Sequence, residues 1–222
     1  MAPAARALKK TPELAEATRT RLLDSAGRVF AEHGFHAATI REICARAGVN
    51  LALVNYHFGD KLELYTEVLR HSIGTAKDCS IASAIDPDSP PEEALRALIR
   101  TLFQTVCSAE RPEWHFRLMI HELGQPTPAM NKVIDETMSP IYNRVRRLIQ
   151  AILAGAASEE KTRLCAHSVI SQIVHYARAR HVIARLWPEL ELTGSRIEQI
   201  ATHIADFSLA YLHQESAVRR TE

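Results

Sequence analysis

Two helix-start signals separated by one glycine constrain this chain more than any other feature. Thr39-Ile-Arg-Glu42 opens a run with Ile40 and Ile43 on one face, and Gly48 closes it. Val49-Asn50 then opens a second run, which Gly59 closes after Phe58. Thr-x-x-Glu is a capping box, and Asn50 is a good N-cap. Val49 and Val54 flank that cap as a hydrophobic staple. The connection Ala47-Gly48-Val49-Asn50 needs a residue at positive φ, which glycine supplies without steric cost. A two-turn helix does not persist alone in water. The second run therefore forms only if neighbours hold it, and the pattern is that of a helix-turn-helix.

The rest of the chain follows the same period. Apolar residues recur at three- and four-residue steps almost throughout, with no convincing alternating strand, so the fold class is all-α with about nine helices. The first spans about 16–32, with Leu22, Leu23, Ala26, Val29 and Phe30 as its stripe and Gly34 beyond its end. Asp60 and Glu63 make a second capping box, and that helix runs toward Ile81. A Pro-rich loop at 86–91 precedes helices at 91–108, 112–124, 127–154, 159–186 and 194–214. Pro140 is expected to kink or break the 127–154 segment. Residues 1–15 read as a flexible basic arm with Arg6, Lys9 and Lys10, 16–62 as the three-helix helix-turn-helix domain, and 63–222 as a C-terminal helical bundle.

Composition narrows the function. The formal net charge is +1, but residues 1–61 carry +3 and the remainder −2, a basic head on an acidic body. Cys44, Cys79, Cys107 and Cys165 are scattered, which fits neither a zinc site nor a disulfide framework and suits the reducing cytoplasm. No apolar run is long enough to span a bilayer, and the N-terminus lacks the apolar stretch of a secretory signal. Enzymatic and metal motifs are missing. His121-Glu122 lacks the second histidine of a metalloprotease pair, and His115 and His121 lie on different faces of one helix. There is no P-loop, dinucleotide fingerprint or nucleophile elbow, so neither catalytic residues nor a cofactor is expected.

The second short helix presents Asn50, Leu51, Ala52, Asn55, Tyr56 and His57 outward. Asparagine can pair adenine bidentately, small apolar groups can meet a thymine methyl, and Tyr56 with Lys61 can hold phosphates. Thr39 and Arg41 stand at the start of the preceding helix, whose positive end favours a phosphate. The expected partner is double-stranded DNA. The competing readings are a helical module whose head binds protein, and a small-molecule enzyme with a vestigial head.

These residues carry a resemblance. Thr39 to Lys61, together with Arg19 to Phe35 and its Phe-Ala-Glu-His-Gly-Phe ending, resembles the DNA-binding domain of the TetR family of bacterial regulators. Asn55 stands where many members have tyrosine, which leaves the phosphate-contact role open between Asn55 and Tyr56. His121 to Pro128, Met138-Ser-Pro140 and Ser168 to Gln172, continuing through Tyr176 to Pro188, resemble the C-terminal domain of the CecR-type subgroup. The resemblance implies a homodimeric transcriptional regulator, usually a repressor. Its palindromic operator is released when a small molecule enters the C-terminal domain.

Interface and pocket candidates follow from the helices. Ile197, Ile200, Ile204, Phe207 and Tyr211 form one stripe on the last helix, and Leu164, Ser168, Gln172 and Tyr176 form one on the helix before it. Such stripes suit an intrachain core or a dimer interface. Doubling a short recognition site favours the interface, assigned to Leu164, Ser168, Ile197, Ile200, Ile204, Phe207 and Tyr211. Trp114, Phe116, Met119, Met138, Gln172, His175 and Tyr176 combine aromatic, soft and polar groups on helices expected to meet in the C-terminal domain, as a ligand pocket would. Arg178, Arg180, His181 and Arg185 read as a solvated face or an anion site.

Overall fold

The computed structural model describes residues 4–73, 88–107, 112–154 and 157–218. Within them the chain is all-α, with eleven α-helices, one π-helical turn and no strand. Helix α1 (Ala4–Ala37) starts earlier than the expected residue 16, since the alanine-rich arm has high helix propensity. Gly34, at φ 73°, interrupts it near its end. α2 (Ile40–Ala47), α3 (Leu51–Phe58) and α4 (Lys61–Ile73) follow. The expected extension of α4 to Ile81, and Cys79, lie outside the described residues. Then come α5 (Pro91–Cys107), α6 (Glu113–Gly124) and α7 (Pro128–Val133).

Two long helices of the sequence reading are divided. The 127–154 segment becomes α7, a π-helical turn (Ile134–Met138) and α8 (Ser139–Ile152). Pro140 sits in the first turn of α8, where its missing N–H does no harm, and the wide turn falls just before it. The 159–186 segment is broken at Ala179 into α9 (Glu159–Arg178) and α10 (Arg180–Leu186), and α11 (Gly194–Val218) ends the described chain.

The helices form two compact units, divided differently from the expected boundary at residue 62. The first holds α1–α4 and also α6 and α7, because α6 packs on α1 and α4. Its core brings together Leu22, Val29 and Phe30 of α1, Ile43 of α2, Val54 and Phe58 of α3, Leu64, Tyr65 and Val68 of α4, and Trp114 and Leu118 of α6. The Phe30 and Tyr65 rings meet edge-on at 4.7 Å. Gly27 lets α1 approach α6 closely, since a Cβ there would lie 2.4 Å from the Trp114 ring. Trp114 Nε1 donates to Asp24 at 3.1 Å.

The second unit packs α5 against α8, α9 and α11. Its core is mainly aliphatic, with Leu95, Leu98, Ile99, Val145, Ile149, Val169, Ile173, Ile204 and Leu209 around Phe103. Burying each such side chain is worth about 1.5–3 kcal/mol. Several of its ion pairs, Arg96–Asp206, Arg100–Glu198 and Arg146–Glu159 among them, lie on the surface. None of the residues of α10 is buried.

Candidate nucleic-acid interface

The turn between α2 and α3 is built by local chemistry. Thr39 Oγ1 accepts from the Glu42 N–H at 3.2 Å and caps α2. The Glu42 carboxylate reaches His33 Nε2 at 3.1 Å, so the return half of the expected capping box goes to a different partner. Gly48 ends α2 in the left-handed region at φ 66°, with open space where a Cβ would be. Only its backbone conformation demands glycine. The Val49 N–H then donates to the Cys44 carbonyl at 3.0 Å. Asn50 Oδ1 accepts from the Leu53 N–H at 3.1 Å and starts α3.

α3 is held from one side. Val54 and Phe58 are buried, and half-buried Val49 packs on the same core as the staple requires. The opposite side is bare: Tyr56 is 80% exposed and Leu51 55%, and Asn50, Ala52 and Asn55 are exposed with them. His57 turns partly inward and is half-buried, with its ring 5.1 Å from that of Tyr56. Among the described residues α3 carries no formal charge besides a potential one on His57.

Cations for a phosphate backbone must therefore come from the flanks. Among the described residues of the first unit most are engaged: Arg19 and Arg70 with Glu67, Arg28 with Asp24, Arg46 with Glu32, Arg117 with Glu113 and Lys132 with Glu63. The Glu63 pairing also leaves the second capping box with one half, the Asp60 Oδ1 bond to the Glu63 N–H at 2.8 Å. Arg41, exposed at the start of α2, makes no ion pair among the described residues. Lys61 is half-buried; its Nζ donates to the His36 carbonyl at 3.2 Å and lies 4.8 Å from the centre of the Phe35 ring. Burial draws its pKa below the ordinary lysine value. Lysine has three donors, so two remain after the carbonyl bond.

The remaining candidate residues divide. Of the interface set, Ile197, Ile200 and Ile204 are buried in the second unit's own core, the intrachain alternative for that stripe. Leu164 and Phe207 are 59% and 63% exposed, and Tyr211 and Ser168 are also exposed. These four, with Lys161, Cys165, Gln172 and Ser208, line a groove of about 240 Å³ between α9 and α11. Of the pocket set, Trp114 and Met119 pack on the first unit's core, with Phe116 half-buried on the same helix. The expectation that all seven meet in one C-terminal domain fails because α6 joins the head. Gln172 belongs to the α9–α11 groove, and His175 is exposed. Tyr176 packs edge-on against Phe103 at 5.4 Å, and Met138 is half-buried at the end of the π-helical turn.

A capped two-turn helix, rigidly seated and bare on its outer side, marks a DNA-binding regulator with a helix-turn-helix head. The comparisons name the family. Residues 22–68 match the family described as bacterial regulatory proteins, tetR family. Residues 91–212, more than half of the chain, match the C-terminal domain of the HTH-type transcriptional dual regulator CecR. The chain belongs to the TetR family of transcriptional regulators, with a CecR-type C-terminal domain. The dual regulator CecR of Shigella flexneri is 27% identical over 182 residues, 76% of this chain and 79% of its own. Two solved structures share the fold. A putative fatty acid metabolism regulator of Clostridium perfringens has a TM-score of 0.64 at 19% identity, covering 84% of this chain and 97% of its own. FadR of Bacillus subtilis, in complex with stearoyl-CoA, has a TM-score of 0.62 at 15% identity, covering 86% and 97%.

Proposed function

We propose that the protein is a homodimeric repressor that reads a palindromic operator and is released by a small-molecule effector bound in its C-terminal domain. The exposed face of α3 carries the reading. Four side chains there, Leu51, Ala52, Asn55 and Tyr56, have no role in the chain's own core. Asn55 reads a base edge, Leu51 and Ala52 meet thymine methyls, and Tyr56, His57 and Lys61 hold the backbone. Asn50 spends its side-chain oxygen on the cap, so it reads through its side-chain NH2. Arg41 and the positive end of α2, capped by Thr39, take a second phosphate.

One two-turn helix reads few bases, and a two-fold axis doubles the site. The exposed apolar groove of α9 and α11, bordered by Leu164, Ser168, Phe207 and Tyr211, is the face that a second copy covers. A dimer seated over a promoter excludes polymerase, which makes repression the direct outcome. Of the pocket candidates, Met138, Gln172, His175 and Tyr176 belong to the second unit and are the contacts proposed for the effector.

Selection of duplexes from a random pool tests the reading. Enrichment of a palindrome, with affinity falling steeply as salt rises, supports it. Absence of any enriched sequence, with weak binding at low salt, overturns it. Sedimentation of Phe207→Glu should show a monomer where the parent is a dimer.

A further inference from the structure

The pair His121-Glu122, which matches no metalloprotease pattern, has a different place in the fold. It stands in the last turn of α6 and reaches two helices at once. His121 Nε2 lies 3.1 Å from the Ala31 carbonyl on α1. A carbonyl only accepts, so this nitrogen carries the proton and donates. Ala31 lies in the last turn before Gly34, where the backbone leaves the helical region at φ 73° and ψ 172°. A side chain at Gly34 would begin 3.4 Å from His121 Nδ1, so the kink and the histidine occupy one corner.

The neighbouring Glu122 is 1% exposed. Its Oε1 accepts from the Tyr65 hydroxyl of α4 at 2.7 Å and from Thr127 Oγ1 at 2.9 Å, and its Oε2 accepts from the Thr127 N–H at 3.0 Å. Apolar packing alone would hold α6 on α4 without a buried carboxylate, whose desolvation is costly. What the carboxylate adds is direction, because each oxygen is met by a donor at one fixed place.

We propose that His121 and Glu122 are positioning residues for the reading head. They clasp α1 with one side chain and α4 with the other, and so fix the aim of α3. α2 packs on α1 and α3 packs on α2 and α4, so the short pair hangs between the two clasped helices. A change in the spacing of α1 and α4 tilts α3 without unfolding it. The idea rests on the DNA-reading function proposed above.

The test compares affinity for the palindrome selected by the parent protein with affinity for a scrambled duplex of equal length. Both are measured well below each variant's melting temperature. Tyr65→Phe keeps the ring in the core and removes only the donor to Glu122. His121→Ala removes the donor to Ala31, and His121→Gln restores one. Tyr65→Phe and His121→Ala should each lower the specific-to-scrambled ratio about tenfold, with scrambled binding unchanged. His121→Gln should recover most of the loss. Melting temperatures that fall while the ratio stays within about twofold of the parent would overturn the clasp, leaving only a stabilising role. If the parent enriches no duplex, the DNA-reading function fails and the clasp with it. If the parent enriches a palindrome and the variants match it, only the clasp fails.

Discussion

The two units solve the packing of helices with different materials. The head closes around rings and directed polar bonds: Phe30 and Phe35 against Tyr65, Trp114 bonded to Asp24, and Tyr65 bonded to the buried Glu122. The second unit closes around aliphatic side chains and keeps several ion pairs outside. A hydrogen bond or a stacked ring fixes direction, whereas aliphatic contact fixes only volume. A head that must aim two turns of helix needs direction. If the proposed effector enters the second unit, aliphatic surfaces that slide suit it better.

The comparison breaks most readily in the second unit. Phe103→Ala should cost about 3–5 kcal/mol, because the fully buried ring fills space that Tyr176 and its aliphatic neighbours cannot close. Urea unfolding measures it, and a loss below about 1 kcal/mol would show that this core collapses around the gap. The head should be more sensitive to addition than to removal. Gly27→Ala adds one methyl 2.4 Å from the Trp114 ring, which has to shift against its bond to Asp24. The expected cost is about 1–3 kcal/mol, against the gain that the same change gives an open helix.

The caps sharpen the comparison at a smaller scale. Asn50→Ala should cost about 1 kcal/mol by freeing the Leu53 N–H. It should also weaken selected duplexes more than scrambled ones, since α3 loses both its start and the amide proposed to read a base. Equal weakening of both would mean that Asn50 matters for stability alone and reads no base.

The legible parts of the chain were the local ones. Thr39, Gly48, Asn50 and Gly59 act within four residues of themselves, so α2 and α3 could be placed from composition and spacing. The destination of Trp114 could not, because its partners Gly27 and Asp24 are nearly ninety residues away. Nor could the sides of α11. A straight helix drifts about 20° per heptad from a seven-residue repeat. The buried line runs through Ile197, Ile200 and Ile204, then passes to Ala205, Ser208, Leu209 and Leu212. Phe207 and Tyr211 keep the three-and-four spacing but are left outside, so the counted stripe mixes core with groove. His121-Glu122 showed no spacing signal for its two long bonds, since they go to Ala31 on α1 and Tyr65 on α4, 90 and 57 residues away.

The smallest effect separates the units by pH. On the α9–α11 face Lys161 donates to the Tyr211 hydroxyl at 2.6 Å and pairs with Glu215 at 2.9 Å, and these contacts push its pKa up to about 12. A lysine with a raised folded pKa adds stability that is fully present below its unfolded value of 10.5 and is lost as pH rises through about 12. Tyr65 shares the window from the other side. Burial first, then the bond to Glu122, raises its pKa far above the ordinary tyrosine value. Its contribution is also present below the unfolded value, about 10, and lost above it as the unfolded chain ionises. The two are separable in a Tyr65→Phe background, where the titration of the head is gone. There, Lys161→Met should lower the urea midpoint more at about pH 9 than at about pH 11. The difference should be small, because the ammonium is partly solvated and exposed pairs contribute little. A gap that stays constant across that range would show that the Lys161 contacts add nothing to folding, and that their worth, if the groove binds a second copy, lies in the pairing of subunits.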